Sequence, residues 1–131
     1  MSERSGLDLL ADLLGMRLAD GGPGRCSFEC ELRPEHMNPY GVVHGGIVYT
    51  LVDYAMGGAL VTRLAAGERC ATLEIKINYL AAVSSGKIRA DATVIDRTTR
   101  IGVLEARVYA DDGRPISVAT GTFYIQSAPA Q

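Results

Sequence analysis

An eighteen-residue stretch from Gly45 to Thr62 carries a single charged side chain, Asp53, and constrains this chain more than any other feature. It contains four glycines and has no flanking basic anchors, so it does not read as a membrane span. From Ile47 to Leu64 the pattern predicts a helix that is apolar nearly all round. Such a helix must be buried on most of its surface. A carboxylate on it is expensive unless it is paired or serves chemistry. Asp53 is therefore the leading candidate for a reactive group; the alternative is a structural Asp paired with an arginine.

The rest of the chain reads mainly as strands. A short amphipathic helix is expected over Leu7 to Leu14, where leucines recur at helical spacing. A turn at Gly21, Gly22, Pro23 and Gly24 leads into a strand or strands near Arg25 to Arg33, with Phe28, Cys30 and Leu32 alternating with Glu29 and Glu31. Pro34 to Val43 reads as a loop. Beyond the helix, Leu73, Ile75, Ile77 and Tyr79 alternate with Glu74, Lys76 and Asn78 over Thr72 to Leu80. Gly86 to Asp96, Ile101 to Ala110 and Ile116 to Ile125 follow, the last two joined at Asp111, Asp112 and Gly113. This order predicts an α+β class, one long buried helix wrapped by an antiparallel sheet that ends in a four-strand meander. At 131 residues, a single domain over 1–131 is expected.

A net charge of −2, with Lys and Arg scattered, argues against nucleic-acid binding, which needs a clustered basic surface. The three cysteines, Cys26, Cys30 and Cys70, do not form a disulfide framework. Cys26 and Cys30 are expected on one strand, where four residues span roughly 13 Å, too far for a bridge. Free thiols fit a reducing, cytoplasmic compartment, and the N-terminus does not read as a signal peptide. His36 and His44 do not sit at ligand spacing with a cysteine, so no metal is expected. No cofactor is expected either.

The informative segment is Asn38-Pro39-Tyr40-Gly41-Val42-Val43-His44-Gly45-Gly46, followed by Leu51-Val52-Asp53. It resembles the signature of the hotdog-fold thioesterases of the phenylacetate-pathway (PaaI-like) type, Asn-x-x-Gly-x-x-His-Gly-Gly and then Leu-x-Asp on the same helix. The element order is similar over roughly residues 7 to 126. The resemblance implies hydrolysis of acyl-CoA thioesters, with an aryl or short acyl group. It assigns the thioester carbonyl to the N–H of Gly45, and attack, direct or through water, to Asp53. His44 would polarise the carbonyl or hold the loop. Asn38 would hold substrate or water, and Thr72 would orient water. The physics of a helix entrance agrees, since its N–H groups are unpaired and its dipole is positive. Gly45 and Gly46 let a substrate approach that backbone closely.

Geometry adds a constraint. Nine residues of helix rise about 13 Å, so Asp53 cannot touch a carbonyl held at the entrance of its own helix. A two-fold partner with an antiparallel helix would bring each Asp53 to the other chain's Gly45. The resemblance implies such a homodimer, and a homotetramer built as a dimer of dimers. Arg97 and Arg100, in a turn between strands, are candidates for the CoA phosphates, as are Arg63 and Lys87; solvated surface is the plainer reading of each. The alternative function is an acyl-CoA-binding hotdog module without turnover, against which Asp53 argues. A hotdog hydratase or dehydratase is a third reading, in which Asp and His stand in a different local arrangement.

Overall fold

The computed structural model describes residues 8–127. Helix α1 spans Leu9–Leu14 and helix α2 spans Gly45–Val61. The strands are β1 (Met16–Gly22), β2 (Arg25–Glu31), β3 (Glu68–Tyr79), β4 (Lys87–Arg97), β5 (Ile101–Ala110) and β6 (Pro115–Ser127). They form one antiparallel sheet in the order β1-β2-β4-β5-β6-β3. This is the expected hotdog arrangement, a long helix gripped by a curved sheet.

Three details differ from the sequence reading. The four-strand meander is a three-strand one, β4-β5-β6. The first of the four expected strands, β3, pairs with β6 and lies at the sheet's far edge. Alternation places a strand in a sheet but does not name its neighbour. Second, a strand, β1, precedes the glycine turn; its residues are almost all exposed, so no apolar alternation marks it. Its partner β2 supplies the pairing, through a two-residue turn at Pro23-Gly24. Gly24 adopts a φ of 72°, which an L side chain rarely takes. Third, α1 begins at Leu9; the expected start at Leu7 lies outside the described residues.

The core sits between α2 and the sheet. Val48, Leu51, Val52, Ala55, Met56, Ala59 and Leu60 form the buried stripe of α2, at the spacing of one helix face. They meet Ile88, Ala90, Leu104, Ala106 and Ile125 of the sheet. The sheet wraps one side only. The opposite stripe, through Thr50, Asp53, Tyr54, Gly57 and Val61, is not buried within the chain. The expectation that α2 is buried nearly all round is thus met on one side. Cys26 and Cys30 do share β2, and Cys26, Cys30 and Cys70 are all free thiols. No helix among the described residues is long and apolar enough to cross a membrane.

Candidate active site

The loop before α2 is pinned from within. Asn38 Oδ1 accepts the N–H of Tyr40 at 2.9 Å and that of Val42 at 3.4 Å. Its own N–H reaches the Val42 carbonyl at 2.8 Å, and Gly41 closes the turn with φ 81°. With Oδ1 committed to the loop, the amide NH2 is the part of Asn38 that can serve a ligand, and only as a donor.

A residue that the sequence reading weighed only as a metal ligand holds the other side of this loop. His36, 1% exposed, accepts the Arg33 N–H on Nδ1 at 2.9 Å. That fixes Nε2 as the protonated nitrogen, which donates to the Leu14 carbonyl at 2.8 Å. The His36 carbonyl then receives the N–H of His44 at 2.8 Å. The only signal in the sequence was a histidine two residues after a proline, and it did not point to burial.

His44 is the N-cap of α2, and its Nδ1 accepts the N–H of Gly46 at 2.8 Å. One of the free N–H groups of the first turn is thereby satisfied. Neutral His44 consequently carries its proton on Nε2 and is a donor there. The N–H of Gly45 finds no acceptor among the described residues. A second unforeseen residue stands beside it: the Tyr79 hydroxyl donates to the Gly45 carbonyl at 2.7 Å. A Cβ on Gly45 would come within 3.1 Å of the Tyr79 ring. Asn38, Gly45, Val48, Tyr79 and Ile116 are among the walls of a mostly apolar cleft of about 470 Å³.

Asp53 lies two turns further on, half-buried rather than fully enclosed. Its Oδ1 accepts the hydroxyl of Thr72 at 2.7 Å. Both line a different cleft, of about 290 Å³, with Phe28, Gly57, Cys70 and Phe123. Burial pushes the Cys70 thiol up, and the Asp53 charge adds to that. Tyr54 stacks on Phe28 with ring centroids 5.4 Å apart, and its hydroxyl donates to Asp8 at 2.6 Å. Burial, first, and the Asp8 hydrogen bond push the Tyr54 phenol up to about 12.

A β-bulge makes the Asp53–Thr72 contact possible. Thr72 pairs with Phe123 and Glu74 with Thr122, so Leu73 is an extra residue in β3. Strict alternation would have put Thr72 on the polar side with Glu74 and Lys76. The inserted residue shifts the phase, so that Thr72 shares the helix side with Ile75, and Leu73 is left 59% exposed.

The candidate cations separate. Arg97 is spent inside the fold: Nη1 meets Glu68 at 2.8 Å and the Arg63 carbonyl at 2.9 Å, and Nε meets the Thr98 carbonyl at 3.0 Å. The pair holds the Glu68 carboxyl below the usual range and the Arg97 guanidinium above it, chiefly through their mutual hydrogen bonds. Arg100 is exposed and makes a hydrogen bond of 3.1 Å to the Tyr124 hydroxyl. Lys87 leans 3.5 Å from Glu29, and Arg63 packs over Gly24. None of these cations lines the cleft at Asn38 and Gly45, nor does Gly46.

A family model described as the thioesterase superfamily matches residues 40–117, a span that includes Gly45, Asp53 and Thr72 and begins after Asn38. The chain is 30% identical over 118 residues, 89% of its length and 75% of the other's, to an Archaeoglobus fulgidus protein provisionally named an esterase. It is 21% identical over 117 residues to the 1,4-dihydroxy-2-naphthoyl-CoA hydrolase of Listeria monocytogenes, covering 89% of this chain and 95% of that one. A mutant structure of the phenylacetic acid degradation protein PaaI from Thermus thermophilus superposes with a TM-score of 0.82 at 25% identity, covering 89% of this chain and 98% of that one.

Proposed function

The chain belongs to the thioesterase superfamily and has its hotdog fold, and on that premise we propose that it hydrolyses acyl-CoA thioesters to the free acid and CoA. The observation that carries the reading is the Asp53–Thr72 pair: the one charged side chain of α2, held at 2.7 Å, opening on a cleft. A binding module without turnover gives no reason to set a carboxylate on that helix face. The kinship with a CoA hydrolase and with PaaI supports the same reading.

The chemistry divides between two places. At the helix entrance, the Gly45 N–H and the positive end of α2 polarise the thioester carbonyl and stabilise the oxyanion. Nε2 of His44 and the amide of Asn38 are further donors near that end. At Asp53, Thr72 occupies Oδ1 and leaves Oδ2 for water or for the carbonyl carbon. In the general-base form, water attacks the carbonyl carbon, its proton passes to Asp53, and the C–S bond breaks to release CoA thiolate, which is then protonated. In the nucleophilic form, Oδ2 attacks the carbonyl carbon first, the C–S bond breaks to expel CoA thiolate, and water then opens the resulting anhydride to give the free acid and regenerate Asp53.

These two places must come from two chains. Gly45 and Asp53 are eight residues apart on one helix, about 12 Å of rise, and they line different clefts. The open stripe of α2 and the free edge of β3 supply the surfaces for a homodimer with antiparallel helices, in which each site takes Gly45 from one chain and Asp53 from its partner. A dimer of dimers would complete the assembly. Arg100 is the better placed of the two turn arginines to meet a CoA phosphate, since Arg97 is already bound. The test is a panel of acyl-CoA substrates followed with a thiol reagent. Turnover that disappears with Asp53→Asn supports the reading; tight binding of acyl-CoA with no thiol release would replace it with the binding module.

A further inference from the structure

One peptide group at the entrance of α2 is held at both of its ends. The carbonyl of Gly45 accepts the Tyr79 hydroxyl at 2.7 Å. The N–H of Gly46, on the same peptide group, donates to Nδ1 of His44 at 2.8 Å. Tyr79, the Gly45–Gly46 peptide and the His44 ring therefore form one chain of hydrogen bonds, and its far end is the Nε2–H of His44. The neighbouring peptide stands outside that chain. Its carbonyl, that of His44, takes the N–H of Ile47 at 3.0 Å, and its N–H is the Gly45 donor discussed above.

Neither partner in the Tyr79 contact needs it for satisfaction. Gly45 is the first residue of α2, and a carbonyl there is ordinarily taken by the N–H four residues on. The hydroxyl is a second donor on that oxygen. Tyr79 is 51% exposed, so its hydroxyl could bond water instead. The two glycines nevertheless make room for the chain, one at each end. A Cβ at position 45 would come within 3.1 Å of Tyr79 Oη, and one at position 46 within 3.1 Å of His44 Nδ1. Neither glycine has a positive φ, so backbone conformation does not call for either. Burial, and then the neighbouring Tyr49, push the Tyr79 phenol up, so the hydroxyl keeps its proton at neutral pH.

We propose that Tyr79 is a positioning residue for hydrolysis: through the Gly45–Gly46 peptide it polarises the His44 imidazole and makes Nε2–H a stronger donor to the thioester carbonyl. Hydrogen bonds in a chain strengthen one another, by about 10–30% per bond. A stronger donor at Nδ1 draws electron density from the ring, and the Nε2–H gains by it. The proposal rests on the thioesterase reading above and adds a residue to it. A plain clasp on the backbone would serve the whole entrance; a relay serves His44 alone.

Two measurements test this, one of them without substrate. The chain has two histidines, so nitrogen-15 spectra of its imidazoles contain two rings. In Tyr79→Phe the Gly46 N–H becomes a weaker donor, and the Nδ1 resonance of His44 should move downfield, toward that of an unbonded imine nitrogen. His36, whose Nδ1 takes the Arg33 N–H, should not move. The second measurement is a double-mutant cycle. His44→Asn keeps a side-chain oxygen to cap α2 but removes the ring. Tyr79→Phe should lower kcat by about two- to fivefold when His44 is present. In the His44→Asn protein it should lower kcat by less than about 1.5-fold, because the group it acts through is gone. An equal loss in both backgrounds, or an unmoved His44 resonance, would overturn the relay while sparing the thioesterase reading. Absence of turnover with every acyl-CoA would remove that reading and the catalytic part of this proposal with it. The two failures are distinguishable, since the nitrogen shift needs no turnover.

Discussion

The entrance of α2 and its middle are built by opposite means. At the entrance the working group is a main-chain N–H, and side chains serve to hold that backbone still: Asn38 ties the loop, His36 and His44 fix its end, and Tyr79 clasps the Gly45 carbonyl. In the middle the working group is a side chain, Asp53, and it is the backbone that adapts, through the Leu73 bulge that turns Thr72 toward it. A backbone donor loses its role only when the loop moves or the N–H is removed. A side-chain carboxylate is lost to one substitution. The two halves should therefore fail differently.

The largest effect is expected at Asp53. Asp53→Asn keeps the volume and the Thr72 contact but removes the base or nucleophile. kcat should fall by about 10²–10⁴ with the melting temperature nearly unchanged. Near-full activity in a folded variant would show that the middle of α2 does no chemistry, and the contrast between the two regions would collapse.

Next comes the question of whether the halves belong to different chains. Gly45→Pro removes the N–H, and the structure shows why it can fold. Gly45 is the first helical residue, where proline is tolerated. His44, with φ −66° and ψ 136°, already has the extended backbone that precedes proline. The Tyr79 ring, 3.1 Å from the new Cβ, must yield a few tenths of an ångström, which lengthens its hydroxyl bond to the residue-45 carbonyl. Neither Gly45→Pro nor Asp53→Asn should be active alone. After subunit exchange half the dimers are mixed, each with one intact site and one doubly damaged, so roughly a quarter of wild-type sites should return. Mixed dimers verified by native mass spectrometry but inactive would refute the shared site.

How much of this was legible depends on what each region is made of. The Asn38 to Asp53 pattern and the buried stripe of α2 lie within one continuous segment, where spacing along the chain fixes spacing in space. The helix, its entrance and its one carboxylate could therefore be read directly. Thr72 was named by its likeness to a family pattern, while alternation alone pointed its side chain the wrong way; a bulge leaves no mark on period-two reading. Tyr79 was missed as a site residue because it looked like one more apolar strand position, and its role depends on β3 running beside α2 from Asp53 to the entrance. His36 was missed because its partners come from the end of α1 and from Arg33. Arg97 looked like any turn arginine until Glu68, 29 residues away, proved to hold it.

A smaller effect distinguishes orientation from chemistry. Thr72→Ala should lower kcat by roughly tenfold, the value of one hydrogen bond to a charged group, and Thr72→Ser should restore most of it. Tyr79→Phe should cost only about two- to fivefold, because the loop at the entrance keeps its other ties. If Tyr79→Phe proved the more damaging of the two, the entrance would depend on that single clasp and not on the loop as a whole.

The smallest effect reads the Asp53 charge without substrate. Cys70 shares the cleft with Asp53, while Cys26 and Cys30 are 4% and 1% exposed. Under native conditions one thiol, Cys70, should react with iodoacetamide and the other two should not. Burial is the first reason its thiol lies above the ordinary range, and the Asp53 carboxylate is the second. A negative neighbour disfavours the thiolate, and the thiolate is the reactive form. Removing that charge in Asp53→Asn should therefore lower the thiol's pKa and speed alkylation at fixed neutral pH by about two- to threefold, leaving the burial effect in place. Peptide mapping after timed labelling gives the site and the rate together. An unchanged rate would mean that the Asp53 charge does not act on Cys70 across the cleft, and that burial alone sets the thiol's reactivity. A much larger acceleration would mean that charge, not burial, governs the cleft.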